Sequence, residues 1–452
     1  MLKGMSVAAT TLGCKVNQAE TDSMLDMLKA AGANIVEFDE KADIYIVNTC
    51  SVTNIADKKS RQMLHRARKM NPDGIVIAAG CYVQSAREIL EQDEAIDIVI
   101  SNNKKISITE IVNDYINVRN NEKNAPGKDH EAMEYFVDIS RETEYEEMGG
   151  HVPVGHTRAY VKIQDGCNQF CSYCIIPYVR GRIRSRSQEA ILAEVSELAE
   201  AGIKEVVLTG IHISSYGKDK NNEGALIELI EAISKIKGIK RIRLGSLEPG
   251  IITEEFVEGI SSNSKVCPHF HLSLQSGCDS VLKRMNRKYT CEQYFEKCDM
   301  LRKAYKSPAL TTDVIVGFPG ETEEEFAETV RYLTELNLYE MHIFKYSPRK
   351  GTVAAAMKEQ VAPEIKNERS DVLLKLAHDN KTAYEAQFEG CELEVLVEEV
   401  VKKDNKTYLR GHTERYMDIL IDVGDISMPE SFVNSFVYVT YTQNGGNLPL
   451  LL

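Results

Sequence analysis

Along the first 120 residues, short apolar runs alternate with amphipathic stretches. Residues 6–10, 43–47, 74–79 and 95–100 are β-like runs, and 17–31 and 57–70 carry apolar positions at helical spacing. Such alternation predicts an open α/β layer. Residues 117–155 are polar and charged, with Pro and Gly breaks. They read as a linker that holds a hairpin or an extended piece. The alternation then resumes, with strands expected at 159–164, 205–209, 241–245, 269–274, 312–316 and 341–346 and helices such as 187–201 and 322–336 between them. Six βα units predict a parallel, incomplete barrel with its active face at the strand C-termini. Near residue 388 the helical period stops, and runs at 393–400, 406–410, 417–421 and 436–442 predict a small β-barrel appendage. The chain therefore divides into 1–120, a linker at 121–155, a central domain at 156–386 and a β domain at 387–452.

Composition narrows the class. A chain of 452 residues with 43% hydrophobic and 27% charged content is an ordinary globular protein, too long for a single domain. No apolar run is long enough to cross a bilayer, and the first residues lack the apolar core of a secretory signal. Eleven cysteines, an odd number in a long chain, do not form a disulfide scaffold. They suit a reducing, cytoplasmic setting where thiolates serve metals. A net charge of −14 argues mildly against nucleic acid as a partner, but the cations are clustered. Lys58, Lys59, Arg61, Arg66, Arg68 and Lys69 share one helical stretch. Arg180, Arg182, Arg184 and Arg186 alternate, and Lys283, Arg284, Arg287 and Lys288 form a third group. Through screening salt only nearby charge acts, so such patches can hold RNA on an acidic protein.

The sharpest chemical signal is Cys167, Cys171 and Cys174, a C-x3-C-x2-C triplet just past the first central strand. A structural zinc site wants four ligands, and no further Cys or His follows at a suitable spacing. Three thiolates suit a [4Fe-4S] cube with one iron left open to a small molecule. Three other cysteines, Cys14, Cys50 and Cys81, each end a strand of the first domain. In an open parallel sheet those ends converge on one crevice. Position alone leaves two readings, a second three-thiolate site or three unrelated buried thiols.

Several loops fall on the rim of the central barrel. Thr209 and Gly210 end its second strand, Ser246 and Glu248 its third, and Gln275 its fourth. Glycine there lets backbone approach a ligand, and Ser246, Glu248 and Gln275 offer hydrogen bonds to a ribose or an adenine. His212, His271 and His342 lie near strand ends and are expected to be hydrogen-bonding core groups rather than metal ligands. Cys267, Cys278, Cys291, Cys298 and Cys391 are expected to be structural.

Three blocks together resemble the radical SAM methylthiotransferases: Thr11-Leu12-Gly13-Cys14-Lys15-Val16-Asn17, then Asn48-Thr49-Cys50, then Gln164-Asp165-Gly166-Cys167 through Cys174-Ile175-Ile176-Pro177 to Arg180-Gly181. The resemblance spans nearly the whole chain and implies a methylthiotransferase domain, a radical SAM domain and a TRAM-like β domain. The Lys-Val-Asn form after Cys14, with the run from His271 to Asp279, looks like the branch acting on N6-threonylcarbamoyladenosine in tRNA. Alternatives are the isopentenyladenosine branch, the branch acting on a ribosomal-protein aspartate, and a non-enzymatic iron–sulfur RNA-binding protein. The resemblance implies two [4Fe-4S] clusters, one on Cys14, Cys50 and Cys81 and one on Cys167, Cys171 and Cys174. It also implies S-adenosylmethionine as radical source and methyl donor, a tRNA anticodon stem-loop as partner, and external electron and sulfur donors. RNA contact is then expected from Arg180, Arg182, Arg184 and Arg186, and in the β domain from Arg410, His412 and Arg415.

Overall fold

Strands covered on both faces are apolar throughout, and residues 44–49 and 75–80 are buried at every position. The fold described here is a computed structural model, which describes residues 2–122, 133–149, 157–404, 406–424, 428–443 and 445–447. In the first domain, β1 (Ser6–Thr11), β2 (Asn34–Ile35), β3 (Ile44–Thr49), β4 (Ile75–Gly80), β5 (Ile98–Ile100) and β6 (Met133–Tyr135) form one parallel sheet in the order β2-β1-β3-β4-β5-β6. Helices α1 (Lys15–Ala30), α2 (Asn54–Met70), α3 (Cys81–Ser85), α4 (Arg87–Glu91) and α5 (Ile108–Glu122) complete it. Side chains alternate across each strand. Ile44, Ile46, Ile75 and Ile77 therefore meet Met24 and Leu28 of α1 on one face, while Tyr45, Val47, Val76 and Ala78 meet Leu64 and Ala67 of α2 on the other. The extended piece expected in the linker is β6, which extends the first sheet at its edge. Residues 123–132 and 150–155 of that stretch lie outside the described residues.

The central domain runs through β7 (Arg158–Asp165), α6 (Ile176–Val179), β8 (Arg184–Ser185), α7 (Gln188–Glu200), β9 (Glu205–Gly210), α8 (Ala225–Ser234), β10 (Arg241–Leu244), α9 (Glu254–Ser261), β11 (His269–His271), α10 (Asp279–Arg284), α11 (Cys291–Ala304), β12 (Ala309–Val316), α12 (Glu323–Leu336) and β13 (Glu340–Lys345). Two parallel sheets, β10-β9-β7 and β11-β12-β13, are joined by parallel bridges at Ile242–Val266 and Leu247–Leu272. The result is the incomplete six-stranded barrel read from the sequence, with β8 antiparallel on its outer edge. One apolar core runs between these strands and their helices.

Helix α13 (Pro363–Ala386) leads to a closed barrel of β14 (Glu392–Lys403), β15 (Lys406–Thr413), β16 (Asp418–Asp422), β17 (Phe436–Thr442) and β18 (Gly445–Asn447). Arg241 and Arg243 anchor this barrel. They donate to the carbonyls of His412 and Glu394 (both 3.0 Å) and of Glu414 (2.9 Å). The appendage therefore covers the starts of the central strands, opposite the face that carries the Cys triplet. Its expected RNA contacts are already engaged. Arg410 pairs with Asp418 at 2.7 Å and Glu399 at 3.2 Å, His412 pairs with Glu398, and Arg415 caps the carbonyls of Ser307 and Lys306. Among the described residues no helix is long and apolar enough to cross a membrane.

Candidate active site

Strand register assembles the first thiol trio. Thr11 of β1 faces Asn48 of β3, and Thr49 of β3 faces Gly80 of β4. Cys14, Cys50 and Cys81 follow these paired ends and so sit side by side. Two of them, Cys14 and Cys50, flank the point where the strand order reverses, the crevice in which open α/β sheets bind ligands. Cys14 is the N-cap of α1, whose N-terminus favours negative charge. Gly13, at φ +99°, is pressed against this trio: a Cβ there would lie 2.6 Å from the Cys50 sulfur.

The second trio is pinned by its own loop. Gly166 must be glycine, since its φ is +72° and a Cβ would sit 1.7 Å from the Arg182 carbonyl. Cys167 N–H donates to Gly181, Cys174 N–H to the Cys171 carbonyl, and Ser172 N–H to Met285. The three cysteines open on a cavity of about 350 Å³, whose wall includes Val52 and Thr53, just after Cys50. Behind Cys174 the chain turns back to the first trio: Cys81, Ile175 and Val179 form one apolar cluster. The two thiol loops thus meet at one interface through the segment 175–180, while Cys14 itself opens on a neighbouring cavity beside Lys15, Arg158 and Tyr160.

The donor sets fit iron–sulfur cubes better than zinc. A tetrahedral zinc with Zn–S bonds near 2.3 Å holds its sulfurs roughly 3.8 Å apart. Among the described residues neither trio brings its three sulfurs within 4.8 Å of one another, whereas a cube spreads them over separate irons. Burial pushes the thiols of Cys50 and Cys174 up to about 12 and that of Cys167 up to about 11. Cationic iron supplies what such sulfurs need to become thiolates.

A buried charge network braces the interface. Arg180, with no exposed surface, donates to Asn17 at 2.6 Å, Glu20 at 3.0 Å, Asp165 at 3.1 Å and the Cys81 sulfur at 3.2 Å. Glu20 also takes Lys105 and Lys162. Burial alone would raise the Glu20 carboxyl, but Arg180, Lys105 and Lys162 outweigh it and hold it well below the usual range. Three of the four alternating arginines are therefore not free for RNA. Arg180 and Arg184 have Asp165 beside them, and Arg186 is buried between Glu147 and Glu194. Only Arg182 is exposed, stacked 4.6 Å over the Phe170 ring. The difference is one of burial, to which charge spacing is blind.

Of the five rim residues, Gln275 lines the cavity, in a left-handed conformation (φ +78°). Thr209 is buried, and Gly210 lies against the Gln164 carbonyl. Ser246 is exposed, and Glu248 turns back to the Gly250 N–H. Two cavity groups escaped the sequence reading. Arg287, read there as part of a basic patch, donates to the Cys171 sulfur at 3.3 Å and to the Ser273 carbonyl at 3.0 Å. His212 also lines the cavity, and its Nε2 has no partner. Burial, then Arg287, lower its pKa to about 4. Arg349 clamps the loop after Cys50, reaching Ser51, Asn54 and Asp57 within 2.9 Å. No local pattern announces these contacts. Cys267, Cys278 and Cys298 are buried as expected, Cys291 is partly buried and Cys391 is exposed.

The Radical SAM superfamily matches residues 161–333, and Uncharacterized protein family UPF0004 matches residues 6–101. The chain is 40% identical over 416 residues to the threonylcarbamoyladenosine tRNA methylthiotransferase MtaB of Bacillus subtilis, covering 92% of this chain and 90% of that protein. It is 36% identical to a tRNA-2-methylthio-N(6)-dimethylallyladenosine synthase of Thermoanaerobacter pseudethanolicus, over 96% of this chain and 90% of that one. In fold it is similar to the radical S-adenosylmethionine methyltransferase TsrM of Kitasatospora setae, with a TM-score of 0.56 at 15% identity over 75% of this chain and 73% of that one. With two thiol trios on loops that meet at one interface and relatives matching nearly end to end, the chain belongs to the radical SAM methylthiotransferase family.

Proposed function

We propose that this enzyme adds a methylthio group to C2 of N6-threonylcarbamoyladenosine at position 37 of tRNA, beside the anticodon. The observation that carries the reading is the pair of thiol loops that meet at one interface, one of them open on a cavity that the other helps to wall. Cys167, Cys171 and Cys174 would hold one [4Fe-4S] cluster and Cys14, Cys50 and Cys81 the other, each with an iron that no cysteine ligates. When bound, the clusters and S-adenosylmethionine supply the radical chemistry and the methyl group that an inert adenine C–H bond requires. An external reductant and a sulfur donor complete the reaction.

The chain's own residues position and shield. Arg287 places a cation beside Cys171 for a bound carboxylate, and Gln275 offers hydrogen bonds to the same cavity. Ile175, Ile211, Ile315 and Phe344 give it apolar walls that limit water. A loop nucleotide can leave its stack at low cost and enter such a pocket. Helix α2 starts beside the cavity wall and exposes Lys58, Lys59 and Lys69, a strip suited to RNA phosphates, while Arg66 pairs with Asp39 and Arg61 with the Tyr82 hydroxyl. Arg182 on Phe170 is the second candidate contact. The threonylcarbamoyl branch is preferred because Lys15-Val16-Asn17 follows Cys14 and because MtaB of B. subtilis is 40% identical.

The test is nucleoside mass spectrometry of tRNA from cells with and without the protein. Threonylcarbamoyladenosine should gain one CH2S unit only when the protein is present. If dimethylallyladenosine gains it instead, the branch assignment is wrong; if neither does, the substrate class is wrong.

A further inference from the structure

Three adjacent central strands direct chemistry into the half-barrel below the cysteine cavity. In the parallel pairings His271 of β11 faces Thr311 of β12, and Asp313 of β12 faces His342 of β13. Thr311 and Asp313 are two residues apart and so share one sheet face. His271, Asp313 and His342 thereby converge, each offering one ligand atom, and the three atoms lie within 4.8 Å of one another. Asp313 also lines the cavity, which puts the cluster on its floor.

We propose that His271, Asp313 and His342 form a divalent-cation site separate from the two thiol trios. His271 Nδ1 is hydrogen-bonded to the Thr311 hydroxyl at 3.0 Å, which holds the ring and leaves Nε2 as the nitrogen open to a metal. That Nε2 is buried, has no hydrogen-bond partner and lies 3.4 Å from Asp313 Oδ2. The His271 and His342 rings lie side by side, 5.8 Å apart with 23° between their planes. Two imidazoles and one carboxylate on neighbouring strands make an N2O set, the donor combination of open zinc sites. Sequence alone favours core groups here because isolated imidazoles are common as hydrogen-bonding core groups, and only the strand register brings these two together.

The surroundings select the ion. Lys15 and Arg243 lie in the layer beneath, beside His269, and oppose a cation. Glu205 compensates Arg243 through a 2.8 Å ion pair. A hard ion such as Mg2+ or Ca2+ needs more oxygen ligands than Asp313 supplies. A borderline ion bound mainly through neutral nitrogen, zinc above all, suits this set.

The test is zinc titration of protein already loaded with iron and sulfide, so that the thiol trios are filled, with bound zinc and iron both counted by mass spectrometry. One zinc per chain is expected, with the iron count unchanged. Asp313→Asn and His342→Ala should each abolish stoichiometric zinc while keeping iron, and Thr311→Val should weaken it by about tenfold through loss of the supporting hydrogen bond. His378→Ala, on the exposed face of α13, should bind zinc as the parent does. Absence of stoichiometric zinc in the parent, or equal zinc in Asp313→Asn and His342→Ala, overturns the proposal. Retained iron in those two variants separates loss of the site from loss of the fold.

Discussion

Arg180 donates from Nε to the sulfur of Cys81 at 3.2 Å, joining the segment after one thiol trio to a member of the other. The same guanidinium reaches Glu20, Asn17 and Asp165 with no exposed surface. It ties the first domain to the central one and steadies the sulfur that the second cluster would use.

Replacing Arg180 with alanine would leave Glu20 and Asp165 buried with less compensation. Breaking a buried pair in this way costs about 3–5 kcal/mol. Urea unfolding should show a loss of that size, and iron bound through Cys14, Cys50 and Cys81 should fall before that bound through Cys167, Cys171 and Cys174.

Gly13→Ala should be a selective lesion. The added Cβ would lie 2.6 Å from the Cys50 sulfur, at a φ of +99° that alanine resists. Wild-type protein should carry about eight irons and the variant about four, by cube stoichiometry. Cys171→Ala should also fall to about four, but should lose cleavage of S-adenosylmethionine, which Gly13→Ala should keep. Equal loss of both clusters in Gly13→Ala would contradict the assignment of Cys50.

Stability should depend on pH in two steps. His212 has a pKa lowered to about 4 by burial and then Arg287, so it is neutral in the fold. A depressed pKa contributes stability that is full above the unfolded value and is lost as pH falls toward the folded one. For His212 the window runs from about 6.5 down to 4 and is worth at most about 3 kcal/mol. His212→Gln should flatten this arm. Glu20, held well below the ordinary carboxylate range, adds a second loss only below about pH 4. Unfolding free energies measured from pH 7 to 3 will show whether the two arms separate.

RNA affinity should follow the exposed lysines of α2 and not the arginines already held by carboxylates. Lys58→Glu with Lys59→Glu should weaken anticodon stem-loop binding at least tenfold, and each lysine removed should lower the salt slope by about one. Arg410→Ala should change affinity little, because Asp418 and Glu399 already hold that side chain. Equal losses from both changes would restore the β domain as an RNA surface.

Local chemistry was readable from the chain. Apolar period marked all six central strands and β1, β3, β4 and β5 of the first sheet, since a strand's burial is written in its own residues. The C-x3-C-x2-C spacing marked one metal loop for the same reason: its ligands lie within eight residues and need only one turn to meet. Partnership across the fold was not readable. Whether Cys50 meets Cys81 depends on Thr49 pairing with Gly80, and whether His271 meets Asp313 and His342 depends on the register of β11, β12 and β13. Arg180 and Arg182 have the same side chain two positions apart, yet one is sealed in an ion-pair network and the other lies on a phenyl ring in solvent. Long-range packing makes that choice, because burial and register belong to surfaces that exist only once distant segments have docked.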